Sequence, residues 1–165
     1  MTHRQNSRTR FSSGFVGFGT ARLSVRKIRT RDERAEAYRI RLRVFVKEQG
    51  VPKEIELDRD DERAAHFLAR LGVLPVGTAR VVINRGKAKI GRMAVIKRHR
   101  GKGIGRKLLR GAVGWARRHG AKTVVLNAQV PVMGFYEKMN FRAVGSTFQE
   151  AGIRHRRMVL LKTSR

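Results

Sequence analysis

Three short segments of strand character precede a long amphipathic helix pattern, and this order constrains the fold most. Residues 65–71, 76–83 and 88–96 have strand character, and glycine- and proline-containing turns separate them. The helix pattern runs from Gly103 to about His119, with apolar residues on one stripe and arginines mostly on the other side. The order predicts an antiparallel sheet with a helix packed on one face.

Further elements on both sides extend this sheet. Residues 21–28 alternate as a first strand, and the capping-box pattern Thr30-Arg31-Asp32-Glu33 opens a helix that ends at Gly50. The remaining predicted elements are a buried parallel strand over 122–126, a helix over 131–140 and an antiparallel strand pair over 141–148 and 156–161. The predicted order is β-α-β-β-β-α-β-α-β-β, a mixed α/β sheet covered by helices.

The composition permits one domain and excludes several kinds of site. A chain of 165 residues with 41% hydrophobic residues can bury one core. No apolar stretch approaches the roughly 20 residues that a membrane-spanning helix needs, so we expect no membrane partner. The chain has no cysteine, and its five histidines lack ligand spacing. We therefore expect no disulfide, no cysteine nucleophile and no metal.

Charge is distributed very unevenly. There are 39 Lys and Arg against 12 Asp and Glu, a formal net charge of +27. This charge attracts polyanions such as nucleic acid or a phosphorylated cofactor, or reflects only a generally basic surface. Seven of the acids fall within 48–62, and none occurs between Arg63 and Tyr136. Residues 1–20 contain no acid and predict a flexible basic tail, with an organellar transit peptide as the alternative to a cytoplasmic location.

The segment Arg98-His99-Arg100-Gly101-Lys102-Gly103-Ile104-Gly105 joins a strand to a helix N-terminus. Its glycines allow a tight turn that directs successive N–H groups at one point, where the helix dipole adds positive charge. Such a site favours an anion, most naturally a pyrophosphate. The segment lacks the Gly-Lys-Ser/Thr triplet of nucleotide kinases, and Arg106 occupies the last glycine position of the dinucleotide motif. The alternative is a glycine-rich turn with incidental arginines.

Two blocks of sequence resemble the GNAT superfamily of N-acetyltransferases. Arg98, Gly101 and Gly103, after Met93-Ala94-Val95, resemble its coenzyme A motif. The residues from Leu126-Asn127-Ala128-Gln129 through Phe135-Tyr136-Glu137-Lys138-Met139-Asn140-Phe141 resemble its fifth strand and fourth helix. Asn140 stands where members commonly have glycine, and asparagine tolerates the same left-handed conformation. Segments 43–49, 56–58 and 148–155 are similar to the ElaA-like branch, and the resemblance covers about Arg22 to Leu161.

The resemblance implies a fold, a cosubstrate and a reaction. It implies one domain over 21–165 with a mixed, mostly antiparallel sheet of six to seven strands and about four helices, in which strands four and five are parallel and splay apart. It implies direct attack of a neutral amine on acetyl-CoA in a ternary complex, with Tyr136 protonating or hydrogen-bonding the leaving sulfur. The cofactor-binding residues that it implies are Met93, Ala94, Val95, Arg98, Arg100, Gly101, Lys102, Gly103, Ile104, Gly105, Arg106, Asn127 and Tyr136.

The general base is an open choice at the level of sequence. Many relatives use a carboxylate on or near strand four, but this chain has no acid between Arg63 and Tyr136. The candidates are Glu48 or Glu150 acting through water, with His155 as an orienting or proton-accepting partner. For Glu150 and His155 the alternative is a polar hairpin turn. His66 is the remaining candidate, although a buried sheet histidine explains it as well.

The acceptor is also open, since a small amine, an aminoglycoside, a peptide N-terminus and a lysine all fit. In so basic a chain, the acids of 54–62 could line the approach of a cationic acceptor, or form a solvated loop. A rival function is a GNAT-fold binding protein that uses its basic surface on nucleic acid or ribosomes with little catalysis. A homodimer is an expectation from the fold's relatives alone.

Overall fold

Seven strands form one mixed sheet in the computed structural model, which describes residues 21–162. Their spatial order is β1-β2-β3-β4-β5-β7-β6, and only β4 and β5 pair in parallel. The strands are β1 (Leu23–Lys27), β2 (Ala65–Leu71), β3 (Leu74–Asn84), β4 (Lys87–Val95), β5 (Thr123–Gln129), β6 (Phe141–Glu150) and β7 (Ile153–Leu160). The predicted mixed fold is confirmed, while the predicted tail, 1–20, lies outside the described residues.

Helices cover both faces of this sheet. They are α1 (Arg31–Arg41), α2 (Lys53–Glu56), α3 (Asp60–Arg63), α4 (Ile104–Arg118) and α5 (Met133–Glu137). The predicted capping box is present, because the Glu33 N–H donates to Thr30 Oγ1 at 3.2 Å and Glu33 Oε2 accepts from the Thr30 N–H. None of the helices in residues 21–162 is long and apolar enough to cross a bilayer.

Helix α1 continues as a π-helical segment, Leu42–Glu48, which the periodicity did not predict. Wider helical turns of this kind are often found at functional sites. The segment ends with Glu48 beside Arg100, in the loop that precedes α4.

Helix α4 packs on the sheet through the apolar stripe that the sequence predicted. Ile104, Leu108, Leu109, Ala112 and Ala116 are at most 1% exposed. The close approach depends on a glycine in β3. A Cβ on Gly77 would lie 2.9 Å from Leu108 Cδ1 and 3.1 Å from the Ala94 carbonyl oxygen, so only glycine leaves room here.

Strands β4 and β5 pair only at their beginnings. Their register ends at Ile90 opposite Leu126, and β5 then pairs onward with β7 alone. At the same point β4 carries a bulge relative to β3, and Arg92 adopts a positive φ of 49° there. Bulges bend a strand and increase its twist. The bulge therefore turns the end of β4 away from β5 and opens the sheet, as the resemblance implied.

The C-terminal elements differ in length from their prediction. Strands β6 and β7 extend to a two-residue turn at Ala151 and Gly152, both with positive φ, which is typical of a tight hairpin. Glu150 and His155 therefore lie on strands and not in a loop. The predicted helix over 131–140 is shorter, since only Met133–Glu137 is α-helical. Asn140 adopts the left-handed conformation expected of it, with φ 66°.

An ion cluster holds the segment between α1 and β2 against the bulge. Arg41 is fully buried; its Nε donates to Glu56 Oε1 and its Nη1 to Asp61 Oδ1, each at 2.6 Å. Arg80 Nη1 donates to Asp61 Oδ1 at 2.9 Å. The ion cluster consists of Arg41, Arg80, Arg92, Glu56, Asp58 and Asp61.

The charges in the ion cluster balance, with three guanidinium groups and three carboxylates. Burial alone would raise the pKa of Asp61, but hydrogen bonds from Arg41 and Arg80 outweigh burial and hold that pKa well below its ordinary value. Arg92 joins the bulge to the segment, because its Nε donates to the Glu56 carbonyl oxygen at 3.1 Å and its Nη2 to Asp58 Oδ2 at 2.9 Å. The ion cluster thus fixes the shape of β4.

Replacing Arg41 tests the structural role of the ion cluster. Arg41→Met leaves the carboxylates of Glu56 and Asp61 buried without their main cation. We expect chemical denaturation to show a loss of about 3–5 kcal/mol in the free energy of unfolding. Arg39→Met, an exposed neighbour on the same helix, should change it by less than about 0.5 kcal/mol. Similar values for the two variants would contradict this role.

Candidate active site

The loop before α4 is shaped to bind an anion. Gly101 and Gly103 have φ angles of 75° and 77°, which residues with a Cβ rarely adopt. A Cβ at either position would meet no atom within 4 Å. Glycine is therefore favoured there by the backbone conformation and not by a lack of space. Gly103 is the N-cap of α4 and provides no side-chain bond to the first turn. The first N–H groups of α4 therefore lack intrahelical partners and, with the helix dipole, favour a bound anion.

A groove, here called the cofactor groove, runs from this loop along β4 to α5. The predicted residues that line it are Met93, Val95, Arg100, Gly101, Gly103, Ile104, Gly105, Arg106 and Tyr136. His99, Val132 and Phe135 also line it, although the sequence did not single them out. Gly105 lies beside Phe135 and Met93, since a Cβ there would make ordinary contacts of 3.4 Å with Phe135 Cζ and 3.7 Å with Met93 Cε.

Four residues predicted to bind the cofactor do not line this groove. Ala94 is buried in the core beneath α1. Arg98 is exposed, and its Nε donates to His99 Nε2 at 3.0 Å. Lys102 is exposed beside the groove without forming its wall. Asn127 lies in a neighbouring cleft. Alternation along β4 accounts for Ala94, because adjacent residues of a strand face opposite sides of the sheet.

Arg100, which lines the cofactor groove, forms an ion pair with Glu48, which does not line it. Arg100 Nη1 and Nη2 donate to the two carboxylate oxygens of Glu48 at 2.6 and 3.0 Å, and Arg100 Nε donates to the Val95 carbonyl oxygen at 2.9 Å. The hydrogen bond from Arg100 lowers the pKa of Glu48. A lowered pKa makes the Glu48 carboxylate a weaker base. The three hydrogen bonds to Glu48 and Val95 fix the position of the Arg100 side chain.

A cleft adjoins the cofactor groove and lies between β4, β5 and the β6–β7 hairpin. Phe45, Ile55, Asn127, Glu150 and His155 contribute to its lining. The side-chain amides of Gln49 and Gln129 exchange two hydrogen bonds, of 3.2 and 2.9 Å, and join the π-helical segment to the end of β5. Met93, Val132 and Tyr136 line both this cleft and the cofactor groove. The two cavities therefore meet at these three residues.

Tyr136 occupies the junction in an apolar environment. Its ring packs edge-on against Phe135 and Phe141, with centroid distances of 4.9 and 6.1 Å. Burial raises the pKa of the Tyr136 hydroxyl to about 12. The phenol is consequently neutral throughout the physiological pH range and is available as a hydrogen-bond donor.

Two titratable side chains of the β6–β7 hairpin line the cleft. Glu150 Oε2 accepts a hydrogen bond of 3.0 Å from Asn127 Nδ2. His155 Nδ1 lies 2.8 Å from the Ile153 carbonyl oxygen, and a carbonyl can only accept, so Nδ1 carries the proton. In the neutral ring Nε2 is then free to accept a proton. The ring of His155 stacks on Phe148 at 6.1 Å, which fixes its orientation.

Four of the six acids of 54–62, which the sequence suggested as the approach of a cationic acceptor, pair with arginines. Glu56 and Asp61 are 2% and 5% exposed and belong to the ion cluster. Asp60 pairs with Arg63, whose Nε donates to Asp60 Oδ1 at 2.9 Å. His66 is buried, with Nε2 bonded to the Asp61 carbonyl oxygen, and it does not line the cleft. In so basic a chain, the clustering of these acids is the sequence feature that could have indicated their pairing with buried arginines.

The family of the chain follows from comparison with known proteins. A model of the acetyltransferase (GNAT) domain matches residues 29–162. The chain belongs to the GNAT acetyltransferase family. Its relatives include the uncharacterized N-acetyltransferase YjcF of Bacillus subtilis, with 36% identity over 75% of this chain and 89% of YjcF.

Solved structures agree with this GNAT assignment. An acyl-CoA N-acyltransferase from Pseudomonas aeruginosa is 26% identical, has a TM-score of 0.74 and aligns over 85% of this chain and 99% of its own. Escherichia coli ElaA has a TM-score of 0.76 at 24% identity, covering 85% of this chain and all of ElaA, and shares the fold. Membership implies an acyl-CoA cosubstrate, and the glycine conformations and uncapped helix fit its pyrophosphate. Within 21–162, no cluster of three or more His, Asp or Glu suits a metal.

A pair of glycines at opposite ends of α4 provides a matched test of the anion site. Gly103 and Gly120 both have left-handed φ, and at both positions an added Cβ would stand in open space. Alanine at either position should cost about 1–2 kcal/mol of stability. Only Gly103→Ala should weaken coenzyme A binding, by about tenfold in titration calorimetry, or about 1.4 kcal/mol. Equal affinity in the two variants would contradict a role of the loop in binding.

Proposed function

We propose that the chain is an acetyl-CoA-dependent N-acetyltransferase that transfers acetyl directly to a primary amine in a ternary complex. The observation that carries the proposal is the junction at Met93, Val132 and Tyr136, where the cofactor groove meets the cleft. A thioester in the groove and an amine in the cleft would approach each other there. Both substrates can be bound at once, so no covalent acyl-enzyme is required.

The glycine loop and the first turn of α4 would hold the cosubstrate's pyrophosphate through main-chain N–H groups. Arg106 lines the groove and adds a full positive charge, while Lys102 stands close by. Arg100 acts indirectly, because its bonds to Glu48 and to the Val95 carbonyl oxygen fix the loop against β4. Acetyl-CoA supplies the activated acetyl group as a thioester.

Tyr136 is the proposed hydrogen-bond donor to the leaving sulfur. Complete proton transfer from a phenol of pKa about 12 to a thiolate of pKa about 8.5 would be uphill by about 5 kcal/mol. A hydrogen bond to the sulfur avoids that cost and still stabilises its developing negative charge. The raised pKa thus favours hydrogen bonding over full protonation.

Glu150 is the proposed base, with His155 as its proton-accepting partner. An alkyl amine with a pKa near 10.4 is mostly protonated at neutral pH and must lose a proton before attack. Among the acids of the cleft lining in 21–162, Glu56 and Asp60 are ion-paired, whereas Glu150 is bonded to a neutral amide. Of the two candidates Glu48 and Glu150, Glu150 is therefore the one proposed. In the net reaction an N–C bond forms and the C–S bond breaks. Of the two protons that the ammonium group loses, one leaves through Glu150 and water and the other protonates the released coenzyme A thiolate.

Titration with coenzyme A and a thiol-release assay with a series of primary amines test the overall function. The variant Tyr136→Phe tests the role of the Tyr136 hydroxyl. We expect the variant to bind acetyl-CoA normally, because the ring remains in place, and to lose about 10–100-fold in kcat through the missing hydroxyl. A fall in coenzyme A affinity with unchanged kcat would assign Tyr136 to binding. Coenzyme A binding without release for any amine would leave a binding protein and overturn the enzymatic proposal.

Glu150→Gln tests the base. The amide preserves size but cannot take a proton, so we expect kcat/KM to fall by about 10²–10³-fold, with recovery towards high pH where the amine deprotonates without help. Glu137→Gln, an exposed acid-to-amide change on α5, is the matched control and should leave kcat/KM unchanged. If Glu150→Gln retains full activity at neutral pH, the base lies elsewhere.

A further inference from the structure

Three cations without an ion-pair partner in residues 21–162 lie beside the cleft, on the face of the sheet opposite α4. Lys87 and Lys89 alternate on β4 with Ala88 and Ile90, which are 0% and 2% exposed in the core. Because alternate residues of a strand share a face, both lysines lie opposite α4. Arg157 of β7 lies on the same face, since its register partner is Asn127 of β5. The basic row is defined here as Lys87, Lys89 and Arg157.

The basic row lines a groove that is continuous with the cleft. Lys87, Lys89 and Arg157 line this groove together with Arg85, Val82 and Val125. Lys89, Val82 and Asp60 line both cavities. The floor between the cations is apolar, because Val82 and Val125 are each 8% exposed. A ligand that enters the cleft can therefore extend along the basic row.

The basic row has no ion-pair partner in the part of the chain that the structure describes. The one carboxylate in the groove lining, Asp60, is bonded to Arg63. Lys87 and Lys89 lie two residues apart on one face of β4, and like charges at this spacing repel. A bound anion would relieve that repulsion.

The strand register gives the spacing between the basic row and the reacting groups. Lys89 pairs with Val125, two residues before Asn127, and Lys87 pairs with Thr123, four residues before it. At about 3.3 Å per residue, these lysines stand roughly 7 and 13 Å along β5 from Asn127, which holds Glu150. Arg157 lies directly beside Asn127 on the next strand.

We infer that the amine acceptor carries an anionic group, a carboxylate or a phosphate, which binds the basic row while the amine lies beside Glu150 and Tyr136. This inference rests on the proposed function and specifies its substrate class. The acceptor is a small molecule with charges of opposite sign at its two ends. Glu150 receives the amine end, and Lys89 with Arg157 receives the anionic end.

A series of linear amino acids, from β-alanine to aminooctanoate, tests the inference in the thiol-release assay. Each acid is compared with its own primary amide, which has the same amine and length but no negative charge. We expect kcat/KM to favour the acids by at least tenfold, with an optimum at intermediate length and a preference that weakens with salt. Aminoethyl and aminobutyl phosphate distinguish a phosphate requirement from a carboxylate requirement.

The variants Lys89→Gln and Lys89→Glu test whether Lys89 binds the anionic group of the acceptor. The neutral variant should raise the KM of the preferred acid about tenfold and leave the KM of its amide and of acetyl-CoA unchanged. The charge-reversed variant should prefer the amide. Arg117→Gln, an exposed cation on α4 across the sheet, is the control and should behave as the original chain.

Three outcomes would overturn the inference. Turnover of acids and amides with equal kcat/KM, or of neutral amines alone, would remove it while the proposed acetyltransferase function stands. A Lys89→Gln variant that binds a single-stranded DNA oligonucleotide more weakly, with an unchanged acceptor KM, would assign the basic row to a polymer. Absence of coenzyme A binding and of any turnover would overturn the proposed function, and the inference with it.

Discussion

The bend in β4 is the constraint on which the rest of the site depends, and the ion cluster maintains it. Arg92 sits at the bulge with a positive φ and is held by Asp58 and by the main chain at Glu56. Burying these charges costs desolvation energy that their attraction only partly offsets. An apolar replacement could be more stable but would lack the directional bonds that place the bulge. The cluster thus favours a specific strand geometry over maximal stability.

The separation of β4 from β5 creates both cavities of the candidate site. Register is lost after Ile90 and Leu126, so the sheet opens a gap that no strand fills within residues 21–162. Helix α4 directs its free N–H groups to one side of this gap, and the β6–β7 hairpin places Glu150 on the other. Tyr136, on the short helix after β5, lies where both sides meet. In the proposed function, this gap allows the acyl donor in the groove and the amine in the cleft to reach one point.

Local patterns in the sequence predicted the parts of the structure that local interactions determine. The capping box at Thr30, the apolar stripe of α4 and the left-handed glycines at 101 and 103 depend on residues within a few positions of each other. Pairings between distant positions could not be predicted in this way. Arg41 bonds to Asp61, which is 20 positions away in the sequence, and Arg100 bonds to Glu48, which is 52 positions away. The clustering of the acids indicates that they pair with arginines, but no local signal identifies which arginine. Glu48 therefore looked like a free base and the acids of 54–62 like an acceptor approach.

The same pairings determine the charge pattern that an acceptor would meet. Because the ion cluster and Arg63 neutralise the acids near the cleft, the carboxylate of Glu150 stands against a basic row on β4 and β7. A molecule with a cationic amine and an anionic end has one favourable orientation in such a field, whereas a purely cationic amine is repelled at one end. The excess positive charge of the chain would thus do more than attract the cosubstrate's phosphates, since its local distribution would also orient the acceptor for attack.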